Sequence, residues 1–150
     1  VTLVAVAKEL KDKKRGFSTQ ANREIEILNS AVLEILDITV NAFCNNDQEL
    51  AMQVEPLEQV IDDLVLNIKA NHIVRLQNDE CTISLGFALV DLLTSYRRVS
   101  DHCSNIAVAV LAAPDGTFET HKYLGKTKHR KNENFETLFT QYSEKFALTK

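Results

Sequence analysis

Between Leu85 and Val110 the residues Leu85, Leu89, Leu92, Tyr96, Val99, Cys103, Ile106 and Val110 follow at spacings of four, three, four, three, four, three and four. Such a row falls on one side of an α-helix with 3.6 residues per turn; the period-two pleat of a strand would scatter it over both faces. A helix of that length has to bury its seam against other helices, and the chain supplies them. Ile25, Leu28, Val32, Ile35, Thr39 and Ala42 repeat the rhythm, as do Val54, Leu57, Ile61, Leu64 and Ile68. A parallel row, Leu33, Leu36, Val40 and Phe43, is expected to widen the buried face of the first of these helices from a coiled-coil seam to a bundle interface.

Punctuation agrees with the rhythm. Four Gly and two Pro in 150 residues are too few to turn the corners of an all-β sandwich. With 45% hydrophobic and 25% charged residues the chain is neither collagen-like nor low-complexity nor wholly disordered. At this length it can bury roughly 70% of its unfolded surface, enough for a core without disulfide or metal staples. Ser18 or Thr19 can cap the first long helix, and Asn45, Asn46 and Asp47 break it. The next starts from Asp47 as N-cap and runs to about Asn78, with Pro56 predicting a kink or restart near Val54 and Glu55. The last long helix closes at Ala112–Gly116. Turns this short cannot carry the chain back along helices ~40 Å long, so neighbours run antiparallel. Shorter helices are expected over 1–14, over 117–124, and around Phe135, Leu138, Phe139, Tyr142 and Phe146, the last packed on the bundle's side. The fold class is all-α: an antiparallel up-down bundle of three long helices with shorter N- and C-terminal helices.

The chain starts at Val1 and its one Met is Met52, which is expected of a piece of a longer protein. No uninterrupted apolar run approaches the ~20 residues of a membrane span, and no signal peptide opens the chain. Cys44, Cys81 and Cys103 are odd in number and far apart, so reduced thiols used as small core residues are expected. Net charge −4 hides two basic stretches, 8–15 and 121–131. These are solvated faces, or they meet an anionic membrane surface or a phosphate-rich ligand. An acidic domain lacking a continuous basic face with interleaved aromatics is not a nucleic-acid binder.

Two polar rows ask for more than packing. Glu55, Glu58 and Asp62 share one side of the second long helix. On the third, Asp91, Ser95, Arg98, His102 and Asn105 run beside the Leu seam, with Asp101 one step further round. Carboxylates and an imidazole on paired helices are how bundles hold hard metal ions, whereas charged residues flanking a seam are also the ordinary e and g pattern. His72 and Lys69 continue the acidic row as solvated or core-edge residues, and His121 and His129 have no partner at ligand spacing. The chain has no Gly-rich phosphate loop, nucleophile elbow, HExxH or paired CxxC, and lacks the Glu-x-x-His pairs of a di-metal bundle enzyme.

The segments Val54-Glu-Pro-Leu-Glu-Gln-Val-Ile-Asp62, His72-Ile-Val-Arg-Leu76, Gly86-Phe87 and Asp91 through Ala107 (DLLTSYRRVSDHCSNIA) resemble the PhoU-like domain that forms the cytosolic C-terminal part of bacterial sodium-dependent phosphate cotransporters. The resemblance covers nearly the whole chain, and DHCSNIA is its most specific part. It implies one PhoU-like bundle domain over 1–150, cut from behind a membrane-embedded transporter. In that setting 1–15 is a linker helix leaving the membrane and 117–150 a C-terminal extension.

The resemblance also implies a site, because PhoU-like bundles can bind multinuclear iron or zinc clusters through Glu/Asp-x-x-x-Asp motifs on adjacent helices. The first motif is present as Glu58-x-x-x-Asp62; the second, acid-Arg-x-x-Asp, reads Arg97-Arg98-Val-Ser-Asp101. A guanidinium cannot ligate a metal. The alternatives are an iron or zinc site on Glu58, Asp62 and Asp101, or an ion-pair network tying these acids to Arg97 and Arg98, with Asp91, Arg98, His102 and Asn105 as a structural polar row. The implied function is non-enzymatic: a regulatory or accessory domain of a sodium:phosphate symporter, at the cytosolic face of the cell membrane, in contact with the transporter portion or with a second copy. A freestanding PhoU-like protein responsive to metal or phosphate is the alternative.

Overall fold

In the computed structural model, residues 16–112 and 133–148 are described. They form α1 (Thr19–Asn45), α2 (Gln48–Gln77), α3 (Ile83–Ala112) and α4 (Glu133–Lys145), and no strand. The helices expected over 1–14 and 117–124, the basic stretches, His121 and His129 lie outside the described residues.

The boundaries follow from caps. Ser18 Oγ accepts from the Ala21 N–H at 3.2 Å, and Asp47 Oδ1 accepts from the Glu49 and Leu50 N–H groups at 2.9 and 3.1 Å. Each oxygen satisfies donors that a helix start leaves without an intrahelical partner. Asn46, at φ 50°, ends α1 in the left-handed conformation, its N–H turned back to the Phe43 carbonyl. The α1–α2 turn is thus too tight for anything but antiparallel packing. Of the kink or restart expected near Pro56, the restart does not occur: one helix runs through it, with Pro56 buried. Burial of that ring in the core offsets the single backbone donor that proline removes.

Helices α1, α2 and α3 pack pairwise, and α4 lies along α2. The core holds Leu28 and Ile35 of α1, Leu57, Ile61 and Ile68 of α2, and Leu89 and Leu93 of α3, all 0–1% exposed. Tyr142 of α4 and Phe146, one residue past its end, are buried against it, and Phe135 stacks on Phe139 with ring centroids 6.3 Å apart. This is the expected side-packed amphipathic helix. Outside the core, Lys145 Nζ reaches Glu34 Oε2 of α1 at 2.6 Å.

Three expectations about the core are corrected. Leu33, Leu36, Val40 and Phe43 are exposed at 58, 37, 56 and 64%. Their row is rotated about a quarter turn or more from the line through Leu28, Ile35 and Thr39, so it lies on α1's flank rather than in the interior. On α3 the buried line runs through Leu89, Leu93, Ser100, Cys103 and Ala107, leaving Ile106 41% exposed. Of the three thiols only Cys103 is a core residue; Cys44 is exposed and Cys81 half-buried. Burial raises the Cys103 thiol pKa, a hydrogen bond with Thr39 opposing this in part.

Mean hydropathy adds to the reading from run length without overturning it, since the core helix of a bundle can be as apolar as a membrane span. An 18-residue window within α1 averages 1.5, apolar enough by length and composition to cross a membrane, although only a third of it is buried in the bundle. Helix α1 nevertheless carries the fully buried carboxylate of Glu24, which marks it as a partner of other helices.

An acidic ladder between two helices

Antiparallel packing of α2 on α3 brings their polar rows into register. Ser104 Oγ donates to Glu55 Oε2 at 2.7 Å. One turn further along α2 and one turn back along α3, Glu58 lies beside Asp101; the next step pairs Asp62 with Arg97, whose guanidinium donates to Asp62 Oδ2 at 2.8 Å. Moving by three or four residues on both helices keeps every rung on the same seam. Glu58, Asp62 and Asp101 each offer an oxygen within 4.8 Å of the others. The middle rung joins like charges, and the rung beside it supplies the cation.

The residues do not fit a multinuclear cluster. An acid at position 97 would put a fourth carboxylate at the seam, where the chain has a guanidinium already bound to one of the remaining three. Three carboxylates, one of them so engaged, suffice for at most one divalent ion. Asp62 Oδ1 is buried without a hydrogen-bond partner among the described residues, and Ser100 Oγ on the core side is in the same state. Asp101 is exposed and Glu58 and Asp62 are half-buried. At ~4 Å and the effective dielectric of a protein surface two like charges repel by about 4 kcal/mol, so the trio depends on the positive charge that Arg97 brings. Asp91, Arg98, His102 and Asn105 are all exposed and do not join the cluster.

A second polar constellation, which the sequence does not announce, lies near the start of α1 and the end of α2. Glu24, 1% exposed, receives both arms of Arg75, Nη1 to Oε1 and Nη2 to Oε2, each at 2.9 Å. Asn71 Nδ2 adds a third bond to Oε1 at 2.9 Å. Such a fork-on-fork pair meets the requirement that buried charges be paired and hydrogen-bonded. Next to it His72 is 7% exposed. Its Nδ1 lies 3.6 Å from Cys81 Sγ, and its Nε2 points at Gly86, where a Cβ would come within 2.7 Å. Desolvation, and secondarily the Arg75 charge, lower the His72 pKa, with Glu24 opposing. Glu24 and Arg75 stand at seam spacing, four residues before Leu28 and seven after Ile68, and that was the available signal.

The matched segment decides the family. Residues 25–110, more than half of the chain and nearly all of α1 through α3, match the PhoU domain. The chain belongs to the PhoU domain family. Over 121 residues it is 25% identical to the phosphate-specific transport system accessory protein PhoU homolog of Pseudomonas aeruginosa (strain PAO1), an alignment covering 81% of this chain and 50% of that protein. The chain therefore spans about half the length of this PhoU relative. No solved structure matches it.

Proposed function

We propose that this PhoU-family bundle is a regulatory or accessory module of phosphate transport, acting by helix-to-helix contact rather than by catalysis. The observation that carries the proposal is the PhoU domain match, which falls on the three helices that build the α2–α3 ladder. The name of the Pseudomonas aeruginosa relative, an accessory protein of a phosphate transport system, supports the same assignment.

The finer reading is a cytosolic domain attached to a sodium:phosphate symporter, working on the membrane-embedded portion from the inner face of the membrane. It rests on the resemblance of the Val54–Asp62 and Asp91–Ala107 segments. The wording of the relative's name favours a second reading, a freestanding cytoplasmic PhoU-like regulator. In either setting we read the ladder as an interhelical ion-pair latch in which Arg97 supplies the positive charge.

Phosphate uptake at limiting and excess external phosphate, with and without an in-frame deletion of the bundle, tests the proposal. Altered uptake or altered response to phosphate is expected, and unchanged values in both would contradict it. An upstream open frame encoding several apolar spans selects the symporter reading; its absence selects the freestanding one.

A further inference from the structure

The α2–α3 turn sets a thiol against a buried imidazole. The Glu80 N–H turns back to the Arg75 carbonyl at 2.9 Å and Asp79 takes φ 58°, so the chain folds over the end of α2 and brings Cys81, just before α3, beside His72. Cys81 Sγ lies 3.6 Å from His72 Nδ1, within hydrogen-bond reach for sulfur, and 3.9 Å from the carbonyl oxygen of the same residue. His72 is 7% exposed, and its Nε2 has no hydrogen-bond partner among the described residues. That nitrogen faces Gly86, where a Cβ would come within 2.7 Å, so the ring is wedged between the glycine and the thiol. Desolvation, seconded by the Arg75 charge and opposed by Glu24, keeps the imidazole neutral, the form that can accept a proton. Cys81 itself is half-buried, open enough for a small oxidant.

We propose that Cys81 is an oxidant-sensitive site, at which His72 takes the thiol proton during attack on a peroxide. With the ring proton on Nε2, Nδ1 accepts the S–H proton as Sγ attacks one oxygen of hydrogen peroxide. The S–O bond forms, the O–O bond breaks, and the departing hydroxide takes the proton back from Nδ1 and leaves as water. Sulfur loses two electrons, the peroxide gains them, and the product is a sulfenic acid. Cys44 and Cys103 lie roughly 30 Å from this turn, 20 residues along α1 from Glu24 and 20 along α3 from Ile83, too far to trap the product as a disulfide. They serve instead as internal standards: Cys44 is exposed, and Cys103 is a core residue hydrogen-bonded with Thr39. The inference does not depend on the role in phosphate transport.

Hydrogen peroxide applied to the folded full chain at neutral pH in the presence of dimedone, with each cysteine followed by peptide mass spectrometry, is the test. Cys81 is expected to be trapped about tenfold faster than Cys44, although Cys44 is the more exposed. His72→Asn keeps a hydrogen-bonding atom near the place of Nδ1 but cannot take up the proton, and it is expected to bring Cys81 down to the rate of Cys44. Trapping at Cys103 reports unfolding; if His72→Asn shows it, His72→Gln carries the comparison, and the Cys81 to Cys44 ratio in the parent chain needs no variant. Cys44 reacting as fast as Cys81 would overturn the proposal, as would a Cys81 rate that a folded His72 variant leaves unchanged.

Discussion

Arg97 on α3 donates to Asp62 Oδ2 on α2 at 2.8 Å, at the place where a second metal-binding motif of the PhoU type would carry an acid. The positive charge at this seam is thus part of the polypeptide. Its strength is limited by exposure, 51% for the Arg97 side chain and 26% for Asp62. The Glu24–Arg75 pair, at 2 and 7%, has the same chemistry in a dry setting.

Removing the cation at the two places should therefore have unequal effects. Arg97→Ala is expected to cost less than about 1 kcal/mol, as exposed pairs do. Arg75→Ala strands the Glu24 carboxylate in the core and is expected to cost roughly 3–5 kcal/mol. Urea denaturation of both variants measures the difference. Equal losses would contradict the assigned burial.

Arg97→Glu restores the acid that the second motif lacks and places a carboxylate beside Asp62. Without metal this variant should be less stable than Arg97→Ala, because repulsion replaces the lost attraction. Titration with iron(II) or zinc, followed by thermal denaturation, should raise its midpoint in a metal-dependent way that the parent chain does not show. Identical responses of parent and variant would sink this account of position 97.

Gly86 gives a sign reversal. Alanine there gains up to about 1 kcal/mol of helix propensity, but its Cβ would lie 2.7 Å from His72 Nε2. Overpacking of this kind costs about 1–3 kcal/mol, so Gly86→Ala should destabilise the native chain. In a His72→Ala background the clash is gone, and Gly86→Ala should stabilise. A double-mutant cycle by chemical denaturation reads the change of sign; additive effects would contradict the contact.

His72 also sets a pH window. Its folded pKa is depressed below the unfolded value of about 6.5, chiefly by desolvation, so in the interval between the two the unfolded chain binds more protons. Stability is then full above about pH 6.5 and falls as pH drops from there to the folded value. Denaturant midpoints at stepped pH should show this loss in the parent chain, and His72→Gln should flatten it. The same slope in both would assign the loss to other groups.

The three long helices were legible in the sequence because periodicity and caps act locally. Ser18 and Asp47 cap where their side chains sit beside free backbone donors, and a four-three rhythm needs no partner to be read. The cluster Glu58, Asp62 and Asp101 was legible for a different reason, since a resemblance aligned residues from two helices that spacing alone could not bring together. What stayed hidden was rotation about the helix axis. Leu33, Leu36, Val40 and Phe43 keep a seam as regular as the true one, and which of two seams faces inward is decided by the neighbouring helices. Glu24 and Arg75 were missed because a lone charge at seam spacing reads as a flank residue until its partner, 51 positions away, is known.

Metal content of the chain purified without chelators tests most directly the claim that Arg97 serves this ladder in place of a metal cluster. Elemental analysis should find iron and zinc well below one atom per chain, unchanged by Asp62→Ala. Stoichiometric iron or zinc, lost in Asp62→Ala and in Asp101→Ala, would contradict it.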